Sequence, residues 1–148
     1  MRFLPYFAVY LVLKNDQNQI LLSKRVNTGF MDGFYSLPSG HVGENESATT
    51  ALERESLEEI NIKPTDYKLV HTLHIKNLNG GKIYISFFFE TTTFSGEVKN
   101  LEPDKCSQLL WADLDKLPKN VMPDLATVLK NIKLGSNYSE IGWEVVNL

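Results

Sequence analysis

Near its start the chain carries Phe3–Leu13, an apolar run without a single charged side chain. A membrane-spanning helix needs about 20 such residues, so this run is too short to cross a bilayer. The polar stretch Lys14-Asn15-Asp16-Gln17-Asn18 follows, where a secretory signal would carry a small-residue cleavage site. Ile20-Leu21-Leu22 then resumes the apolar pattern. Two apolar segments around a polar turn predict a hairpin of two core strands, near 4–13 and 19–24. With 148 residues, 43% of them hydrophobic, the chain can bury such strands in a single domain (1–148) without disulfides or a structural metal. A net charge of −3 supplies no general attraction to nucleic acid or to an anionic membrane. The lone Cys106 excludes an intramolecular disulfide framework and a multi-cysteine zinc site, and a reducing, cytoplasmic setting is expected.

No repeat, low-complexity stretch or Pro/Gly/Ser-rich linker divides the chain. A turn-forming loop spans 26–33, a short apolar piece 34–37 ends at Pro38, and 39–43 is irregular. Residues 46–60 predict a helix opened by Asn45 or Glu46, with Ala48, Ala51 and Leu52 at helical spacing and Pro64 beyond its end. Strands are predicted at 67–76 and 82–90, joined through Asn77-Leu78-Asn79-Gly80-Gly81, and at Leu109-Leu110-Trp111. A last helix starts near Pro123, carries Leu125, Val128, Leu129 and Ile132 on one face and stops at Gly135. Strands flanking one internal helix, with a second near the end, place the chain in the α/β or α+β class.

The first of these helices is unusually acidic. Glu44, Glu46, Glu53, Glu55, Glu58 and Glu59 surround one base, Arg54. At 100° per residue, Glu55, Glu58 and Glu59 fall within one arc of roughly 100° that continues the Ala48, Ala51, Leu52 stripe. Two carboxylates about 6 Å apart repel by roughly 3 kcal/mol at an effective dielectric near 20. Arg54 alone cannot neutralise three of them. Either their pKa values rise or divalent cations bind, and clustered carboxylates suit Mg²⁺ or Mn²⁺. Ahead of the helix, Gly40 and Gly43 allow close backbone approach, and a carbonyl near Ser39-Gly40 offers another oxygen ligand.

The segment Gly40, five residues, Glu46, seven residues, then Arg54-Glu55-Ser56-Leu57-Glu58-Glu59-Ile60-Asn61-Ile62 resembles the signature of the Nudix hydrolases. Two positions depart from it: Ser56 stands where an aliphatic residue is usual, and Asn61 where glycine is usual. Asparagine is the best substitute for glycine at a left-handed helix end. The resemblance implies an α/β/α sandwich with a mixed sheet and hydrolysis of a nucleoside diphosphate linked to another moiety. It implies Mg²⁺, with Mn²⁺ as the alternative, held mainly by Glu58 and Glu59 with help from the Ser39 carbonyl. Glu55 would bind metal or take a proton from water, while Gly40, Glu46 and Arg54 stabilise the motif. A further acid from a later loop is expected at Glu102, with Asp104 second.

On the substrate side the resemblance suggests Arg25 as a phosphate contact, Tyr35 as a base or sugar contact and Asn120 as a base contact. Phe87, Phe88 and Phe89 are read as packing, and His41, His71 and His74 receive no role. A (deoxy)nucleoside triphosphate is the expected small-molecule substrate. ADP-ribose or another nucleotide sugar, and a non-catalytic nucleotide-sensing module, are the alternatives. Tyr138–Trp143 is too apolar for a free tail, and a homodimer is left open.

Overall fold

The computed structural model describes residues 1–77 and 80–143. Both early apolar runs are strands, β1 (Tyr6–Leu13) and β2 (Gln19–Arg25), followed by β3 (Tyr35–Ser36) and β4 (Ser39–His41). Helix α1 (Ala48–Ile60) leads to β5 (Ile62–Thr65), β6 (Lys68–Lys76), β7 (Ile83–Thr91), β8 (Thr93–Gly96) and β9 (Cys106–Asp113). Helix α2 (Pro123–Lys133) and β10 (Tyr138–Ile141) complete the order. In the β6–β7 connection, Leu78 and Asn79 of the expected turn lie outside the described residues.

The expected pairing of β1 with β2 is corrected. After one bridge, Lys14 to Ile20, the two strands part into different sheets. Asn15 organises the turn by accepting from the Gln17 and Gln19 backbone N–H groups through Oδ1. The main sheet runs β10-β6-β7-β1-β4, and the second runs β3-β2-β9. Strand β1 is parallel to β7 and antiparallel to β4, while β6 is antiparallel to β7 and parallel to β10, so the main sheet is mixed.

Alternation along β1 builds a core on each face of that sheet. Val9, Leu11 and Leu13 pack with Leu21, Phe89 and, from α1, Ala51, Leu52 and Ile60. On the other face Val12 joins Ile20, Leu22, Phe88 and, from α2, Leu125, Val128 and Leu129. Each fully buried leucine contributes about 1.5–3 kcal/mol, so each helix is fixed to its own face of the sheet. This is the α/β/α arrangement. No described helix is long and apolar enough to cross a membrane.

Helix α1 begins slightly later than Asn45 or Glu46. Ser47 is its N-cap, accepting from the Thr50 N–H at 3.2 Å. Glu46 is drawn away toward Gly43 and Arg54 instead. At the other end Asn61 adopts the left-handed conformation, φ 65°, and its N–H closes on the Leu57 and Ser56 carbonyls. Ser56 is buried on the helix face that meets the sheet.

The segment Tyr138–Trp143 seals the outer edge of β6. His71 is fully buried, with Nδ1 2.9 Å from the Ser136 carbonyl and Nε2 2.8 Å from Ser139 Oγ. Asn131 donates to that same Oγ at 2.8 Å, so the hydroxyl proton is free to go to His71. Trp143 donates its indole N–H to the His74 carbonyl and its ring lies against the His74 ring.

The left-handed cap at Asn61 can be tested directly. Asn61→Val should lower the unfolding free energy by about 1–2 kcal/mol in urea titrations, because a β-branched side chain resists positive φ. Asn61→Gly should lose less than about 1 kcal/mol.

Candidate active site

Strand β4 lies against α1, so close that any side chain at Gly40 would have to displace that of Glu55. A Cβ added at Gly40 would stand 2.0 Å from the Glu55 Cδ. Next to it, the Ser39 N–H donates to Glu59 Oε2 at 3.1 Å. Arg54 ties this strand and the loop after it to the helix. Its Nε donates to Glu46 Oε2 at 3.1 Å and its Nη2 to Glu46 Oε1 at 2.7 Å and to the His41 carbonyl at 3.1 Å. The remaining nitrogen, Nη1, meets Glu55 at 2.8 Å and Glu58 at 3.3 Å. Glu46 accepts in addition from the Gly43 N–H at 2.8 Å.

The loop after β8 is tied to the end of the same helix. Lys99 N–H donates to the Ile60 carbonyl and Leu101 N–H to the Glu59 carbonyl, both at 3.0 Å. Asn100 Oδ1 accepts from the Glu102 N–H, and the Glu102 carbonyl accepts from the Lys105 and Cys106 N–H groups. Glu102 is thereby carried to the cleft that Glu55, Glu58 and Glu59 line.

These acids have diverging environments. Burial pushes Glu59 up to about 8; the Ser39 N–H opposes that, while Glu55, Glu102 and Glu58 add to it. Glu55 is also raised, chiefly by burial, although Arg54 pulls it down. Glu46 sits at about 2, held there first by its bonds to Arg54 and then by the Gly43 N–H. Burial and mutual repulsion thus act where the carboxylates crowd, and pairing acts where the loop is anchored.

The cleft encloses about 520 Å³ and also takes Arg25, Thr28 and Lys105 into its wall. Beside it is a second cavity of about 210 Å³, lined by Ala8, Tyr10, Phe30, Tyr84, Ser86 and Asp124 among others. Arg25, Ser36, Ser39, Gly40 and His41 border both.

The donor set fits a hard divalent cation: three glutamates on one helix, a fourth brought to the same cleft, a backbone kept bare by Gly40, and Glu55 and Glu59 raised first by burial and then by their like-charged neighbours. Among the described residues no three such side chains cage an ion by themselves, since Arg54 holds Glu55 and Glu58. A hard divalent cation that keeps waters and takes further ligands from substrate phosphates does not need such a cage.

Ser39, Gly40, Glu55, Glu58, Glu59, Glu102 and Arg25 all come to the cleft. Arg25 is partly engaged there, with Nε donating to the Phe30 carbonyl at 2.8 Å and Nη2 to Thr28 Oγ1 at 3.0 Å. Tyr35 and Asn120 line neither cavity. Along β3 it is Ser36 that faces the cavities, so Tyr35 points the opposite way into the core and its hydroxyl bonds to Gln108 at 3.1 Å. Asn120 spends its side-chain amide on the Gly33 carbonyl at 2.9 Å. Asp124, four residues later, lines the second cavity instead, its carboxyl raised by burial. An acid directly after Pro123 reads as an ordinary first-turn residue of a helix, which hid it in the sequence. Asp104 is exposed and lines neither cavity, its carbonyl accepting from Asn27.

Residues 5–132 match the family model described as the NUDIX domain. The chain belongs to the Nudix hydrolase family. Its fold agrees with the crystal structure of a MutT Nudix hydrolase from Burkholderia pseudomallei, at TM-score 0.79 and 27% identity, covering 86% of this chain and 98% of that one. The Nudix domain of Shewanella oneidensis NrtR, solved with ADP ribose, shares the fold at TM-score 0.72 and 18% identity, over 90% and 89% of the two chains. In sequence the chain is similar to an 8-oxo-dGTP diphosphatase of Proteus vulgaris, 32% identical over 80 residues, which are 54% of this chain and 70% of that protein. An RNA pyrophosphohydrolase of Pasteurella multocida is 33% identical over 63 residues, 43% of this chain but only 30% of that protein's length.

The Glu46–Arg54 pair sets a pH dependence. A carboxyl at about 2 in the folded protein and 4.5 ordinarily adds stability that is complete above about 4.5 and is lost as pH falls through about 2. In denaturant titrations between pH 6 and pH 2, Glu46→Gln should be less stable than wild type at pH 6. The gap should close toward pH 2.

Proposed function

We propose that this Nudix protein is a Mg²⁺-dependent pyrophosphohydrolase that cleaves a nucleoside triphosphate into the monophosphate and pyrophosphate. The observation that carries this reading is the adjacency of the two cavities, an acid-lined cleft and an aromatic and polar recess that share the border Arg25, Ser36, Ser39, Gly40 and His41. A nucleotide fits that division, with its phosphates in the cleft and its base in the recess. The name of the Proteus relative, 8-oxo-dGTP diphosphatase, favours a purine deoxynucleoside triphosphate.

Glu58 and Glu59, with the Ser39 carbonyl and Glu102, would hold Mg²⁺, or Mn²⁺ in its place. When bound, the cation would offset charge on the phosphate oxygens and lower the pKa of the attacking water. Glu55, held by Arg54 and packed over Gly40, accepts the proton from that water. Arg25 and Lys105, also in the lining of the cleft, bring positive charge to the phosphates. Arg25 retains Nη1 for this after its bonds to the 28–30 loop. Asp124 hydrogen-bonds the base edge: ionised it accepts from an amino group, and protonated, as its burial favours, it donates to a ring nitrogen or carbonyl.

The deciding experiment is product-resolved turnover of nucleoside triphosphates, ADP-ribose and dinucleoside polyphosphates with and without Mg²⁺. Monophosphate and pyrophosphate should form only with the cation, and Glu58→Gln should lower kcat by at least ~10²-fold with little change in KM. Faster release of AMP and ribose 5-phosphate from ADP-ribose would replace the substrate class. Nucleotide binding without turnover would favour a sensing module.

Base reading has its own check. Asp124→Ala should change the ratio of kcat/KM between the best purine and pyrimidine triphosphate by about tenfold, the scale of one lost hydrogen bond.

A further inference from the structure

The border between the two cavities is where a bound nucleotide would place its sugar. Of the residues there, Ser36 spends its hydroxyl on the Leu37 carbonyl at 3.1 Å, and Gly40 has no side chain. Ser39 contributes its N–H to Glu59, and Arg25 is tied to the 28–30 loop. His41 differs from them. It is exposed, and its Nε2 lies 3.0 Å from the Tyr84 hydroxyl, which belongs to the second cavity.

This pair is made by the sheet. His41 on β4 stands opposite Ala8 of β1, and Ala8 stands opposite Ser86 of β7. Small side chains in the middle leave a trough with Ala8 and Ser86 as its floor. Tyr84, two residues before Ser86 on the same face, reaches across to His41. Tyr6 stacks on the Tyr84 ring, centroids 5.2 Å apart at 25°, and meets the His41 ring edge-on at 6.1 Å. Lys82 places Nζ 5.6 Å from the Tyr6 ring centroid. The pair is therefore held in position before any ligand arrives, which reduces the ordering cost of binding.

We propose that His41 and Tyr84 together recognise a hydroxyl of the nucleotide sugar and so set the enzyme's choice among sugars. The proposal rests on the reading of the protein as a nucleotide hydrolase that binds across both cavities. If Tyr84 donates to Nε2, its oxygen keeps a lone pair that accepts from the sugar hydroxyl. If Nε2–H donates to Tyr84, the phenol O–H is left to donate to the sugar hydroxyl. In either tautomer His41 leaves the Tyr84 oxygen one aimed hydrogen bond to make, which a hydroxyl completes as donor or as acceptor, whereas a phosphate oxygen could only accept.

The test measures kcat and KM for the ribo-, 2′-deoxyribo- and 2′,3′-dideoxyribonucleoside triphosphates of one base, in wild type, His41→Ala and Tyr84→Phe. In the wild type, KM should rise about tenfold at the step that removes the recognised hydroxyl, as one hydrogen bond predicts. That step should shrink to less than about threefold in both variants, with kcat on the preferred sugar changed by less than about threefold. Tyr84→Phe removes a single oxygen and keeps the stacked ring, so it guards against a folding defect in His41→Ala. Equal steps in all three proteins overturn the proposal and leave the hydrolase reading intact. A wild type without sugar preference, or variants that lose only kcat, overturn it as well. Absence of triphosphate turnover in the wild type overturns the underlying reading and the proposal with it.

Discussion

The guanidinium of Arg54 is the interaction on which the site depends. One edge binds Glu46 through two nitrogens, and the nitrogen shared along that edge also reaches the His41 carbonyl. The other edge meets Glu55 and Glu58. A single side chain thus fixes the pre-helix loop, the end of β4 and the acidic face of α1 relative to one another. Lysine could not replace it, because a compact ammonium lacks the planar fork that grips a carboxylate twice. With Arg54 in place, Gly40 can lie against Glu55 and Ser39 can donate to Glu59. Without it, the glutamates would repel across the same turn of helix and release the loop.

The same motif uses one residue type in two opposite ways. Glu46 is paired so well that it keeps its charge far into acid, and it serves as an anchor. Glu59 and Glu55 are partly enclosed among like charges and hold theirs reluctantly. Environments that drive neighbouring carboxyls apart separate groups that build a site from groups that act in it. Here the divide falls between the loop before α1 and the helix itself.

Much of this was legible in the sequence, for identifiable reasons. Three glutamates at i, i+3 and i+4 share a helix face whatever surrounds them, and Asn61 marks the left-handed end. Glu102 was legible as an acid in a turn-rich loop, and the loop's ties to the end of α1 deliver it to the cleft. The partner of β1 was not legible, since an apolar run reports burial and not which strand lies beside it. β4, β5, β8 and β10 have three or four residues each, too few for a period to emerge. Tyr35 shows how alternation along a strand separates neighbours: Ser36 takes the cavity and the tyrosine goes to the core. Asp124 and the His41–Tyr84 pair depend on which elements meet at the border of two cavities, and no local pattern carries that information.

The lengths of the outermost strands govern how the molecule can meet other chains. The main sheet ends in β10, four residues, and β4, three residues, and the small paired strands β5 and β8 have four each. Among the described strands, β9 is the one long sheet edge, eight residues with β2 on one side. Its leucines and Trp111 are committed to the cores, so what it offers outward is backbone. Strand-by-strand growth, whether as native self-association or as the first step of aggregation, has among the described strands one extended edge, β9, whose first residue, Cys106, already has its backbone paired with Glu102 and Asn100. The edge of the main sheet that carries Ser39 and Gly40 is too short to template a neighbour, which keeps the mouth of the cleft clear of such contacts.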